Sequence, residues 1–352
     1  IGNVIPILRV HKPGLHTTVQ DLGRYGLQSM GVPVSGALDT TALRIANHLV
    51  GNEPTIAALE VLGAGPVLEV TTESVRIAVA GGKALIELLS PYRRQLPTFE
   101  SFCLHRGDVF CIGPVTDMAM TYLSVEGGFD LPPAMGSLST YTRGGFGGFN
   151  GRQLESDDEL SLVLSAAPVR DELRFVERRL PGDLPIRIIP GPQDDFFTPE
   201  SLHTLVSCDY TVSSAVDRMG MRLKGPQLEH ARGFNITSDG TAPGSIQVPG
   251  DGLPIVLLAD RQTTGGYPKI GCVISADLPT VARLRPGNTI RFALATLEQA
   301  AEARRERESW FARFRSHIKR STLSGIIDPI TLHTQNLVSG VVGPDDATEL
   351  GK

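Results

Sequence analysis

The chain lacks any cysteine pair at close spacing. Its four cysteines, Cys103, Cys111, Cys208 and Cys272, are scattered and form no C-x-x-C step. Cys103 and Cys111 flank an expected hairpin and are close enough in sequence to meet. Reduced core thiols in a cytoplasmic protein are the stronger expectation. The eight histidines include no H-x-x-x-H and no H-E-x-x-H, so no metal site is expected. No apolar run reaches the length of a membrane span. No charged segment followed by an apolar one opens the chain as a secretory signal does. The net charge of -5 disfavours a nucleic-acid surface. The glycine-rich run Arg143-Gly144-Gly145-Phe146-Gly147-Gly148-Phe149 lacks the lysine and Ser/Thr of a phosphate-binding P-loop. It is read as a surface loop or, more sharply, as a lid over a site.

What the chain has in abundance is turn residues, 38 glycines and 25 prolines in 352 residues. They predict a mainly β protein with a few helices. Strands are expected at 5–10, 58–62, 67–71, 75–80, 84–89, 108–112 and 119–125. A second set is expected at 186–189, 210–213, 246–248, 255–259, 271–274 and 289–293. Gly-Pro and Gly-Gly steps separate them, a spacing that suits barrels or sandwiches and not βαβ units. Asp39 reads as the N-cap of a helix ending near Val50, with Gly51 as its stop. Thr198-Pro199 opens a short helix, and another is expected at 278–284. Thr296 and Gln299 form a capping box for a helix over 297–317. That helix is charged on all sides from Arg304 to Glu308. Phe311, Phe314 and Ile318 give it an apolar end, so it reads as a solvated helix docked at one end or as a partner-binding helix.

The Pro/Gly break at 180–185 divides the chain into 1–180, 186–295 and a C-terminal helix and tail, 296–352. The tail from Thr331 is expected to fray. A faint echo links Asp21-Leu22-Gly23-Arg24-Tyr25-Gly26 with Asp217-Arg218-Met219-Gly220-Met221-Arg222, which suits a duplicated unit.

The densest chemistry lies in 259–271, Ala-Asp-Arg-Gln-Thr-Thr-Gly-Gly-Tyr-Pro-Lys-Ile-Gly. An acid, two cations, an amide, two hydroxyls and a phenol crowd beside paired glycines. Such glycines let backbone N–H groups approach an anion or carbonyl. The same residues also make a tight turn with a polar rim. Gln20, Asp21 and Arg24 form a second polar group, whose Asp21 and Arg24 read equally as an ion pair fixing a loop. Ser35 sits in no nucleophile setting, and Asp39 reads first as a helix cap. Arg218 and Arg222 suit an anionic substrate or barrel stabilisation.

Four blocks taken together carry a family resemblance. They are 15–24 (LHTTVQDLGR), 31–39 (GVPVSGALD), 57–60 (AALE) and 260–269 (DRQTTGGYPK). With them the chain resembles the biotin-dependent carboxyltransferase family, also called allophanate hydrolase subunit 2. That family includes the C subunit of bacterial 5-oxoprolinase and the antagonist of a sporulation kinase inhibitor. The resemblance runs from about Val4 to Phe292, and 336–342 fits it too. It implies two cyclophilin-like β-barrel domains and a separately encoded B-type partner, with an A-type partner in the same system. Its first implied activity is ATP-dependent hydrolysis of the 5-oxoproline lactam to glutamate, as part of a complex. The alternatives are the carboxyltransferase component of a urea or amide carboxylase, and a non-enzymatic regulator that binds a kinase-inhibitor-like B-type partner. The chain carries no Met-Lys-Met biotinylation motif. Biotin, if used, arrives on another chain; ATP is implied for the system, bound by this chain or with the partner subunit.

Under this resemblance Asp260, Gln262 and Lys269 are the expected catalytic residues. Asp260 serves as a base or orients Arg261. Arg261, Thr263, Thr264, Gly265, Gly266 and Tyr267 are expected to bind substrate or phosphate, with Gln20, Asp21, Arg24, Ser35, Asp39 and Arg218.

Overall fold

A computed structural model describes residues 6–321 except 178, 179, 181, 183 and 184. The expected frayed tail and the 336–342 match lie outside the described residues, as do 181, 183 and 184 of the 180–185 break. The protein is mainly β, as composition predicts. Eleven strands before the break form two sheets. One runs in the order Glu159–Ser161, Ile7–Lys12, Val67–Val70, Val109–Val115, Ala84–Ser90, Arg94–Leu96. The other runs His16–Gln20, Ala58–Leu62, Met120–Val125, Ser74–Gly81, Ser101–His105. All their pairings are antiparallel.

The five-stranded sheet is buried on both faces, and its strands show why. In Ser74–Gly81, Ile77 and Val79 point into the core shared with the six-stranded sheet. Ala78 and Ala80 point the other way, beneath helix α1 (Thr40–Leu49). The period of two sorts large from small side chains, and the alanines let the helix lie close. Asp39 caps α1 as expected, and Gly51 takes the left-handed conformation after it.

Eight strands after the break build one sheet. Its order is Thr289–Ile290, Tyr210–Val216, Gly220–Lys224, Ile255–Leu257, Ser245–Gln247, Lys269–Val273, Ile186–Pro190, Phe292–Leu294. The two edge strands are separated in sequence by Arg291 alone, so the chain itself joins the sheet's ends. The result is a nearly closed barrel, sealed by one parallel pairing, Ile186–Pro190 with Phe292–Leu294. Helix α2 (Pro199–Ser207) contributes Leu205 to this core and α3 (Leu278–Ala282) contributes Val281. The Gly220–Lys224 strand was not expected, because its glycine and charges hide a short alternation of Met221 and Leu223.

Helix α4 (Leu297–Arg313) has the predicted capping box. It docks by its apolar end, the first of the two expected readings. Phe311 and Phe314 are buried, and Phe314 stacks on Phe175 with ring centroids 5.0 Å apart. The strand that follows, Ile318–Arg320, pairs with Leu173–Phe175. The end of the described chain therefore returns to its first half. No helix among the described residues is long and apolar enough to cross a membrane. All four cysteines are free thiols.

Candidate functional site

The two halves meet along a buried ionic seam. Arg218 Nε donates to Asp260 Oδ2 at 2.8 Å and Nη2 to Asp260 Oδ1 at 3.2 Å. Its Nη1 donates to Glu60 Oε1, and Nη2 also reaches the Gly36 carbonyl at 2.6 Å. Glu60 Oε2 accepts from the Tyr122 hydroxyl at 2.5 Å and from the Leu38 amide at 2.9 Å. The Tyr122 oxygen accepts from the Asp39 amide at 2.8 Å. Asp39 accepts from the amides of Thr41 and Ala42 and from Arg283 Nε at 2.6 Å. Burial works against the Arg218 charge, but Glu60 and Asp260 outweigh it and hold the guanidinium above its ordinary value. Burial, with the nearby Glu60 and Asp39 charges, pushes the Tyr122 phenol well up, so it remains a hydroxyl donor.

Asp260 thus holds Arg218 and not Arg261, the neighbour it was expected to orient. The side chains of this block leave a tight turn in different directions, and three cavities result. The first, of about 390 Å³, lies between the halves and is lined by His16, Thr142, Arg143, Asp217, Arg218 and Asp260. Here the glycine-rich loop supplies Thr142 and Arg143 to the wall, and Arg143 lies 3.5 Å from Asp217. The second, of about 430 Å³, is lined by Gln262, Tyr267, Gln247 and Arg222 among others. The two share Val216, Asp217 and Met219. Arg222 also pairs with Asp251 at 2.9 Å. Arg261 faces a third cavity with Ser35.

Within the first cavity, half-buried His16 opens the strand His16–Gln20. Its Nδ1 is buried and has no hydrogen-bond partner. Burial lowers its pKa below 6.5, opposed by the Glu60 charge, so the imidazole is neutral at pH 7 and able to accept a proton. In the second cavity Gln262 Nε2 donates to Gln247 Oε1 at 3.2 Å. That leaves Gln247 Nε2 buried and unpartnered.

The remaining predicted residues are engaged in structural pairings, and Gly265 lies against Gln247. Lys269 is buried, and its Nζ donates to Asp239 at 2.9 Å. That hydrogen bond holds the Asp239 carboxyl below the usual range. Thr264 and Gly265 pair with Gly240 and Asp239, the Thr263 carbonyl accepts from Thr241, and the Gly266 carbonyl accepts from Ile236. These residues fasten the 236–241 segment to the 263–266 turn. Gln20 donates to Thr18 and to the Thr140 carbonyl.

Asp21 does not pair with Arg24. Its carboxylate accepts from the Gly23 and Leu138 amides and the hydroxyls of Ser137 and Ser139. Arg24 donates to the carbonyls of Ala134 and Ser139. Both residues clamp the same loop, which leaves no need for a direct bond. The sequence echo has a structural counterpart: Asp217 accepts from the Met219 amide, as Asp21 does from Gly23.

Sequence reasoning missed Gln247 and Arg307 as candidate site residues, and used His16 and Glu60 only within the family blocks. Pairing decides their roles, and pairing partners lie far away in sequence.

A family model described as carboxyltransferase domain, subdomain A and B, matches residues 30–294. The chain is 38% identical over 311 residues to the C subunit of 5-oxoprolinase from Escherichia coli (strain K12), covering 87% of this chain and 96% of that protein. Among solved structures it is 32% identical to the Kluyveromyces lactis urea carboxylase, with a TM-score of 0.80, over 90% of this chain and 30% of that one. It is also 36% identical to TTHA0988, with a TM-score of 0.73, over 82% of this chain and 56% of that one. Both solved chains are therefore longer proteins, of which this chain spans about half or less.

Proposed function

Because the chain belongs to the carboxyltransferase domain family, whose relatives here are parts of enzyme systems, we propose that it is the C subunit of a cytoplasmic, ATP-dependent 5-oxoprolinase. It acts with partners of the A and B types, and residues 1–180 and 186–295 serve as its two barrel units. The observation that carries this reading is the buried, unpartnered His16 Nδ1 beside the Asp260–Arg218 pair, in a cavity walled by both halves.

The chemistry follows from that geometry. A lactam carbonyl resists water because its nitrogen shares its lone pair with the carbonyl. Neutral His16 takes a proton from the attacking water and returns it to the ring nitrogen as the C–N bond breaks. Arg143, at the cavity rim, offers charge to the developing oxyanion. Asp260 stays bound to Arg218 and positions the wall; His16 is the proton carrier.

No phosphate-binding loop marks this chain as the one that holds ATP. No three His, Cys, Asp or Glu side chains gather as a metal site among the described residues. The 143–149 loop also lacks a phosphate-binding lysine. We assign ATP to the partners and route no step through it here. The test is co-expression with the neighbouring partners and measurement of phosphate release that depends on 5-oxoproline. An assembled, folded complex with no such release refutes the reading.

One observation favours carboxyl transfer as a second reading. The free Gln247 Nε2, with Gln262 and Tyr267 near it, fits an amide or ureido carbonyl in the second cavity. Biotin carried on another chain supplies a carboxyl group when bound, and these residues would hold its ureido ring. Turnover that requires a biotinylated protein selects this reading. Tight binding of the B-type partner without any turnover selects a regulator instead.

A further inference from the structure

We infer that the third cavity, between the halves and lined by Arg261, Arg307 and Ser35, is a binding site for a small organic carboxylate. It is separate from the His16 cavity and does not depend on the lactam reading.

The argument begins with charge. Arg261 is 2% exposed. Its Nε and Nη1 reach only the carbonyls of Thr241 and Leu258, at 3.3 and 3.5 Å. No carboxylate among the described residues pairs with it. Arg307, from α4, donates to Thr40 Oγ1 at 2.5 Å and to the Ser275 carbonyl at 3.0 Å. Its Nε is buried without a partner, and it too has no carboxylate partner among the described residues. No Asp or Glu lines the cavity. Desolvation lowers the pKa of both guanidiniums, and a bound anion would offset that cost.

A third donor points the same way. Ser35 is 4% exposed, and its Oγ has no partner. Its backbone is left-handed, with φ +54°, a conformation that strains any residue except glycine. The strained serine presents a free hydroxyl to a cavity that already holds two cations lacking carboxylate partners.

Size and walls select the ligand class. The cavity measures about 240 Å³, and Leu22, Val34, Leu258 and Leu278 supply apolar wall. This is below the roughly 300–1,000 Å³ typical of drug-sized ligand sites, and is small for a nucleotide. Hydrocarbon walls suit a carbon skeleton better than a free phosphate, which is polar on all sides. Arginine and hydroxyl donors match a planar carboxylate.

The test uses the full chain and cyclopentanecarboxylate, with cyclopentanecarboxamide and inorganic phosphate as controls, titrated by calorimetry. One-site binding of the carboxylate is expected, with the amide and phosphate at least about tenfold weaker, since hydrogen bonds to charged groups are the strong ones. Arg307→Gln should weaken the carboxylate by a similar factor, and Ser35→Ala by several-fold. Ser35→Ala loses no internal hydrogen bond, so it serves if Arg307→Gln fails to fold. Absence of saturable binding, equal binding of the amide, tighter binding of phosphate, or indifference to both variants overturns the inference. Failure of 5-oxoproline turnover with variant-sensitive carboxylate binding intact would refute the lactam reading alone.

Discussion

Arg218 and Glu60 meet across the seam between the halves, 6% and 0% exposed at the side chain. The same guanidinium holds Asp260, so one cation pairs with a carboxylate from each half. Such a group is costly to desolvate and costlier to break.

Arg218→Met should therefore destabilise the protein by about 3–5 kcal/mol, because it leaves Glu60 and Asp260 buried and unpaired. Urea unfolding measures it. Adding Glu60→Gln and Asp260→Asn to the same chain should recover much of that loss. A single variant as stable as the parent would mean that water already reaches the seam.

Asp39 does two tasks, capping α1 and pairing with Arg283. Asp39→Asn keeps an accepting oxygen for the cap and loses the charge. Asp39→Ala loses both, so it should cost about 1 kcal/mol more, the usual value of a cap. Thermal melts of the two variants side by side give the difference. Equal cost would remove the cap from the account.

His16 gives a pH dependence with a definite sign. Its folded pKa lies below the 6.5 expected for the unfolded chain. The unfolded state therefore binds more protons as pH falls through that value. Stability due to neutral His16 is complete above about pH 6.5 and declines below it. The parent should lose stability between pH 7 and 5.5 more steeply than His16→Gln. In the assembled complex the same variant should lower kcat by about 10²-fold or more. Parallel stability profiles would mean that the imidazole is not held neutral by the fold.

Gly265 offers a substitution that tests the second cavity without replacing any of its donors. A Cβ there would lie 2.4 Å from Gln247 Nε2. That amide is the end of a flexible side chain, so the fold should tolerate Gly265→Ala while Gln247 swings aside. Loss of substrate binding with an unchanged melting temperature is the expected result. Unchanged binding would exclude Gln247 as a ligand.

Much of the fold was legible in the sequence. Gly and Pro punctuation located most of the strands, and the Asp39 cap and Thr296 capping box located two helices. Periodicity is local, and local rules read it. The site was legible only as a neighbourhood. The 260–269 block does face the cavities, but through Asp260, Arg261, Gln262 and Tyr267 on different sides of one turn. Lys269 turns to Asp239 instead. Nothing in the sequence separates a paired arginine such as Arg218 from Arg261, which has no carboxylate partner, because the deciding carboxylate, Glu60, lies far off in the chain. Arg307 is hidden for another reason: on a helix charged on all sides, no pattern singles out the side chain that turns inward.

The seam also bears on how the chain is made. Glu60 and Tyr122 leave the ribosome well before Arg218 and Asp260 exist. During that interval the face that will later be sealed carries a bare carboxylate and a phenol. Water solvates such a face, whereas a wholly apolar seam would present a sticky patch to every other nascent chain. An unpaired carboxylate and phenol can be hydrated until their partners arrive, which a wholly apolar join cannot.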